Sequence, residues 1–123
     1  MAGATFTSSD HIAISGVTFT ATVTLDGSSN FALTKVTLDG GATEDAALTI
    51  NGQGSAGASH DVLVQDSTVK GGGRTIFVLG VFAPSDGWNH HLTFVRDDIT
   101  CGSHNCFQLS GGRDVVIDGN RIN

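Results

Sequence analysis

Asp45, Arg74 and His104 are the residues of this sequence best suited to act together on a substrate. They are a carboxylic acid, a guanidinium and an imidazole, and they follow one another at nearly equal intervals along the chain. In one interpretation Arg74 binds the carboxylate of a uronic acid, His104 acts as a general base and Asp45 orients the guanidinium. In the other, Asp45 and Arg74 form an ion pair between neighbouring repeats and His104 belongs to a loop.

Three further residues suit contact with a sugar. Trp88 is followed by Asn89 in a loop, and the flat apolar face of an indole can stack on a sugar ring. Gln108 is expected at an outward position in the middle of a short strand. The alternative for Trp88 is that it folds back and covers an open flank of the protein. The candidate substrate-binding residues are therefore Trp88, Asn89 and Gln108.

The two cysteines are candidates for a disulfide, and three of the histidines are candidates for metal ligands. Cys101 and Cys106 enclose the loop Gly-Ser-His-Asn, and a turn of this length can bring two Cα atoms within the range of a disulfide. The alternative is two free thiols in a reducing cell. His60, His90 and His91 fall at turn positions, where histidine is favoured for backbone reasons. We therefore predict no metal site and no cofactor.

The composition narrows the class of protein. Of 123 residues, 32 are Val, Ile or Thr and 17 are Gly, whereas Glu occurs once and Lys twice. This balance favours strands over surface helices. The net charge is −6 and the basic residues do not cluster, so we expect neither a nucleic-acid partner nor a membrane surface. No apolar run is long enough to span a bilayer, and the first ten residues lack the features of a signal peptide.

Five segments repeat one pattern, in which a polar turn residue precedes alternating apolar positions. The segments begin at His11, Asn30, Asp61, His91 and Asp114, at spacings of 19, 31, 30 and 23 residues. Three positions of the pattern are apolar in every segment, as expected for strands with one buried face. These rows are Ile12, Phe31, Val62, Leu92 and Val115; Ile14, Leu33, Val64, Phe94 and Ile117; and Phe19, Leu38, Val69, Ile99 and Ile122.

A second set of short strands lies between these segments. Their alternation predicts four pairs of inward residues: Val23 and Leu25, Leu48 and Ile50, Phe77 and Leu79, and Phe107 and Leu109. Three of these pairs are followed two residues later by a glycine that allows a sharp turn: Gly27, Gly52 and Gly111. The predicted outward positions, Thr24, Thr49, Val78 and Gln108, carry no charge.

A strand–turn–strand unit that recurs about every 25 residues is the pattern of a solenoid, in which each coil stacks on the last. The chain resembles the right-handed parallel β-helix family of pectate lyases, polygalacturonases and many phage tailspikes, over about residues 4 to 123. We expect an all-β single domain over residues 1–123, with about four to five coils. Neither end carries an obvious cap, so we consider both a fragment of a longer β-helix and end-to-end self-association.

The resemblance implies a function as well as a fold. Its enzymes act on polysaccharides outside the cell or at its surface, and some hold calcium with clustered carboxylates. The segment CGSHNCFQLSGG is similar to a polygalacturonase stretch in which Asp-Asp-Cys precedes a strand, but His104 and Asn105 replace the two acids here. A calcium cofactor is implied by the resemblance alone.

The sequence therefore predicts a structural or carbohydrate-interacting module that lacks the usual catalytic residues of the family. One alternative is a polysaccharide lyase or hydrolase, or a fragment of one, that uses Asp45, Arg74 and His104 on an acidic polysaccharide. A further alternative is an element that assembles end to end. We expect the protein to be extracellular or attached to the cell surface.

Overall fold

The computed structural model describes residues 2–42, 45–53, 56–80 and 88–123. These residues form fifteen strands, and every strand pairing among them is parallel. Three successive strands make one coil, and the five coils stack so that the protein is a parallel β-helix. This confirms the predicted fold class. Across those same ranges, no helix has the length and apolar character needed to cross a membrane.

The strands of the five coils build three parallel sheets. Sheet 1 contains β1 (Ala4–Thr7), β4 (Val23–Asp26), β7 (Leu48–Asn51), β10 (Arg74–Leu79) and β13 (Asn105–Ser110). Sheet 2 contains β2 (Asp10–Ser15), β5 (Ser29–Thr34), β8 (His60–Gln65), β11 (Asn89–Val95) and β14 (Gly112–Asp118). Sheet 3 contains β3 (Thr18–Phe19), β6 (Thr37–Asp39), β9 (Thr68–Lys70), β12 (Asp98–Thr100) and β15 (Arg121–Ile122).

The three predicted apolar rows are confirmed by the strand register. Each row joins Cα partners in all five coils, two rows in sheet 2 and one in sheet 3. The inner coils bury these side chains completely, and Phe31 and Phe94 are among the largest of them. The core is one continuous apolar cluster along the axis. Burial of aliphatic and aromatic surface is the main source of the stability of such a solenoid.

The chain bends at residues with positive φ. The bend between sheets 2 and 3 has φ of 50° to 70° at Gly16, Lys35, Asp66, Arg96 and Gly119, so all five coils turn in the same way. This left-handed region is costly for most side chains, which explains the glycines. At the same bend, Arg96 and Asp66 of adjacent coils form an ion pair of 2.9 Å.

Polar side chains line two inner corners of the coils. Between sheets 1 and 2, the backbone N–H of Ser28 donates to Ser59 Oγ at 3.0 Å, and that of Ser59 donates to Asn89 Oδ1 at 2.8 Å. Between sheets 2 and 3, the backbone N–H of Ser67 donates to Asp97 Oδ1 at 2.9 Å. These bonds satisfy backbone donors that the bends withdraw from the sheet hydrogen-bond ladders.

Candidate functional site

A groove lies on the outer face of sheet 1 and has a volume of about 410 Å³. We call it the sheet 1 groove. It is lined by Thr22, Thr24, Asp45, Ala46, Thr49, Arg74 and Phe77. These residues come from coils 2, 3 and 4, which means that the stacking of coils creates the groove.

One wall of the groove is a cluster of aromatic and polar side chains. The pairing of β10 with β13 sets Phe77 opposite Gln108 and Arg74 opposite Asn105. Arg74 Nε donates a hydrogen bond of 2.5 Å to Gln108 Oε1, and the guanidinium carbon lies 5.2 Å from the centroid of the Phe77 ring. A cation at this distance is attracted to the π face of the ring. The guanidinium is thus held in place by two neighbours.

The remaining surface of the groove is rich in hydroxyl groups. Thr24 and Thr49 are Cα partners on adjacent coils, and both are half-buried. Thr22 Oγ1 donates a hydrogen bond of 2.7 Å to the carbonyl oxygen of Ala46, which fixes its rotamer. Asp45 is exposed at the rim. The groove therefore combines hydroxyls and one carboxylate with the aromatic wall.

The predicted register of β10 is wrong by one residue. Ile76 and Val78 point into the core and are fully buried, whereas Phe77 and Leu79 face outward and are half-buried. The segment Ile-Phe-Val-Leu is apolar on both faces, so alternation alone cannot distinguish the two registers. Phe77 is consequently the residue of the groove that the sequence prediction missed, because the prediction assigned it to the core.

The predicted row of Asp45, Arg74 and His104 does not form. Because β10 is shifted by one residue from the predicted register, the Cα partner of Arg74 is Asn105 and not His104. The backbone N–H of His104 donates to the carbonyl oxygen of Gly73 at 2.8 Å. Asp45 and Arg74 still line the same groove. His104 is exposed and is not among the described residues that line it.

The three predicted sugar-binding residues lie in different surroundings. Gln108 borders the sheet 1 groove through its bond to Arg74. Asn89 is fully buried, and its Nδ2 lies 3.1 to 3.3 Å from three backbone carbonyl oxygens, so it belongs to an inner corner and not to a binding surface. Trp88 is half-buried just before β11. The structure therefore brings Gln108, but not Asn89, to the groove.

Cys101 and Cys106 are joined by a disulfide, with Cα atoms 4.4 Å apart. The bond closes the loop that leads into β13. The backbone N–H of Gly102 in this loop donates to Thr75 Oγ1 at 2.7 Å, which ties the loop to coil 4. Both contacts restrain the start of the strand that carries Gln108.

A second polar cluster lies at the start of sheet 2 strands. The rings of His60 and His90 stack with centroids 4.8 Å apart, and His60 Nδ1 is 2.7 Å from Asp61 Oδ2. The hydrogen bond from His60 lowers the pKa of Asp61, and burial lowers the pKa of His90. Within the part of the chain that the structure describes, no three His, Cys, Asp or Glu side chains are arranged to hold a metal ion.

Among the acids that the structure describes, Asp97 has the largest pKa shift, and it lies away from the groove. Asp97 is 2 % exposed in the corner between sheets 2 and 3. Burial raises its pKa to about 7, although the hydrogen bond from the Ser67 N–H acts in the opposite direction. Oδ2 has no hydrogen-bond partner among the described residues. Asp97 is therefore a structural acid that sits in the row of Ser67 and Asn120.

Comparison with known proteins assigns no role to any of these residues. No family model, no curated protein and no solved structure matches the chain. The sheet 1 groove is the candidate functional site, because it brings a guanidinium, an aromatic ring and several hydroxyl groups together on one surface.

Proposed function

We propose that the protein is a carbohydrate-binding β-helix module that holds a segment of glycan in the sheet 1 groove without cleaving it. The observation that carries the proposal is the cluster of Arg74, Phe77 and Gln108 beside a row of threonine hydroxyls. Sugars present apolar C–H faces together with many hydroxyl groups. A site with one aromatic wall and several fixed polar groups matches both properties.

The charge of the groove favours a neutral glycan. Asp45 and Arg74 line it with opposite charges, so the groove attracts neither a cation nor an anion strongly. The whole chain carries a net charge of −6, which repels a polyanion such as pectate at low ionic strength. Arg74 is then a hydrogen-bond donor to sugar oxygens, and Asp45 is an acceptor.

Binding without cleavage follows from the acids available. Glycoside hydrolysis normally uses two carboxyl groups on either side of the scissile bond. Asp45 is the one carboxyl group among the described residues that line the groove. His104, the predicted base, does not line it. The residues in place can bind and orient a sugar but do not form an acid–base pair.

We extend the proposal to the location of the protein. Disulfides persist in secreted and cell-surface proteins, and the structure joins Cys101 to Cys106. The β-helix enzymes that the sequence resembles act on polymeric glycans in the same compartment. We infer that the protein is extracellular or attached to the cell surface.

Calorimetric titration with neutral and uronate oligosaccharides tests the proposal, with and without calcium. We expect at least one neutral oligosaccharide to bind more tightly than pectate or alginate fragments. Phe77→Ala and Arg74→Ala should each weaken that binding about tenfold, since each removes part of the aromatic and polar wall of the groove. Assays for new reducing ends and for unsaturated uronates should show no turnover.

Leu79→Ala is the matched control, because Leu79 is another outward apolar residue of β10 that does not line the groove. It should bind as the wild type does. Equal affinity of Phe77→Ala and the wild type, or binding to no oligosaccharide in the panel, would contradict the proposal. Release of product would indicate an enzyme instead.

A further inference from the structure

The coil 5 end of the solenoid exposes apolar side chains. We use this name for β13, β14 and β15 with their inward residues. Leu109, Ile117 and Ile122 are 44 %, 41 % and 50 % exposed. In coil 4, the residues of the same rows are fully buried: Val78, Phe94 and Ile99. The core is thus open to solvent at this end, within the described part of the chain.

The strands of this end also present unpaired backbone groups. In the described residues, each of β13, β14 and β15 pairs with one neighbouring strand of coil 4 and has its second edge free. At the opposite end, β1, β2 and β3 likewise each have one neighbour, in coil 2. Free parallel edges are templates for further strands. Both ends therefore carry three edges that continue the same three sheets.

We propose that coil 1 of a second copy of this chain stacks on the coil 5 end, so that copies associate head to tail. In this arrangement coil 1 of the second copy takes the place of a sixth coil. Each of its residues then lies next to the coil 5 residue of the same row in the first copy. The apolar pairs, with the residue of the second copy named second, are Phe107 with Ala4, Leu109 with Phe6, Val115 with Ile12, Ile117 with Ile14, and Ile122 with Phe19.

The charges of the two ends are complementary in this same register. One sheet 2 row runs Asp10, Ser29, His60, His90 and Arg113, so Asp10 of the second copy lies on Arg113. His11 follows Asp10 in the chain and Asp114 follows Arg113, so the same stacking brings His11 of the second copy near Asp114. In sheet 1, Gln108 meets Thr5 and Ser110 meets Thr7, which are pairs that can hydrogen-bond. None of these predicted contacts sets like charges opposite each other.

Contacts inside the solenoid show that such rows form bonds. Ser29 Oγ donates to Asp10 Oδ1 at 2.9 Å between coils 1 and 2. Arg96 and Asp66 pair at 2.9 Å between coils 4 and 3. An outward cross-coil pair of opposite charge is therefore within reach in this geometry, and it fixes the register of the strands. Head-to-tail contacts of this kind do not close on themselves, so they add copies in a line.

Sedimentation of the 123-residue chain over a range of concentrations tests the proposal. We expect the wild type to change from monomers to longer linear species as concentration rises. Arg113→Asp and Asp10→Arg alter exposed residues at opposite ends, and each should raise the midpoint concentration of association about tenfold. Lys35→Asp is the matched control: it makes the same change of charge in coil 2 and should leave the midpoint unchanged.

Mixing the two variants provides the decisive comparison. In an equimolar mixture of Arg113→Asp and Asp10→Arg, each interface can place an Arg opposite an Asp, so association should return to the wild-type midpoint. Circular dichroism of each variant should match the wild type, because both positions are exposed. A chain that stays monomeric up to millimolar concentration would overturn the proposal. Association that Asp10→Arg leaves unchanged would also overturn the proposal. That result would indicate contact between two coil 5 ends, which does not involve Asp10.

Discussion

The backbone N–H of Asp97 donates a hydrogen bond of 2.8 Å to the side-chain Oδ1 of Asn120, one coil further along the solenoid. In turn, Asp97 Oδ1 accepts a bond from the N–H of Ser67, one coil earlier. Asn120 also uses its Nδ2, which donates to the carbonyl oxygen of Phe94 at 2.9 Å. Asp97 has no amide at this position, and its Oδ2 is left without a partner among the described residues. A proton on Asp97, or an amide in its place, removes the negative charge that burial disfavours at this position.

The stability of the protein should therefore depend on pH through Asp97. Its pKa is about 7 in the folded state, against an ordinary value of 3.8. The folded protein holds this proton more tightly, so the contribution of Asp97 to stability is fully present below pH 3.8 and is lost as pH rises through about 7. The loss amounts to at most about 4 kcal/mol. Asp97→Asn should raise the free energy of unfolding at pH 8 and change it little at pH 4.

Urea denaturation of the wild type and Asp97→Asn at several pH values measures this effect. Taking the difference between the two proteins removes the contribution of His90, whose lowered pKa acts in the opposite direction. Asp98→Asn, at the exposed neighbouring position, is the control and should stay within about 0.5 kcal/mol of the wild type. A difference between wild type and Asp97→Asn that is constant with pH would contradict the assignment.

Asn89 should contribute to the free energy of unfolding and not to the binding of oligosaccharides. Asn89→Ala removes the acceptor of the Ser59 N–H and the donor to the carbonyl oxygens of Ile50, Leu79 and Gly111. We expect a loss of about 2 to 4 kcal/mol in the free energy of unfolding.

Asn89→Ser should cost less than Asn89→Ala, because serine occupies this row in the two preceding coils at Ser59 and Ser28. Denaturation curves of both variants give the comparison. If Asn89→Ala were as stable as the wild type, the buried amide would not hold this corner.

Substitutions in β10 test the corrected register. Val78→Ser places a hydroxyl in the core and should destabilise the protein by about 2 to 4 kcal/mol. Leu79→Ser changes a half-buried outward residue and should cost less than about 1 kcal/mol. The register predicted from the sequence, with Leu79 inside, requires the opposite order, so equilibrium unfolding of the two variants distinguishes them.

Removing the disulfide should destabilise the protein moderately. The chain-entropy estimate for a loop this short is about 2 kcal/mol. We expect Cys101→Ser combined with Cys106→Ser to lower the free energy of unfolding by this amount under oxidising conditions. Under reducing conditions the wild type should lose a similar amount and match the variant. Titration of free thiols in the purified protein gives an independent check, since two reactive thiols would show that the bond is absent.

The sequence held more information about β10 than apolar alternation revealed. Gly27, Gly52 and Gly111 each follow the last inward residue of a sheet 1 strand by two positions. Gly80 stands in the same relation to Val78. The glycine spacing therefore predicts Val78 as the inward residue, and it would have placed Phe77 on the outer face.

The site was harder to predict than the core for a physical reason. Inward positions in the middle of the strands are apolar because they share one interior without water. Ile12, Phe31 and Val62 can therefore be recognised as a row from the sequence. Outward positions face water and tolerate many residue types, so they leave no comparable pattern. The positions of Asp45, Arg74 and His104 could be predicted only by counting residues along the repeats. A shift of one residue in β10 pairs Arg74 with Asn105 in place of His104, although Asp45 and Arg74 still line one groove.

The sequence alone determined the parallel β-helix and its three rows of core residues, because the same burial requirement recurs in every coil. It limited the number of coils to about four or five, and the structure has five. Only the tertiary structure decided which side chains meet on the outside. The contact of Arg74 with Phe77 and Gln108 depends on the register of two strands that are some thirty positions apart in the chain. That register is set by packing of the interior, and the outer surface follows from it.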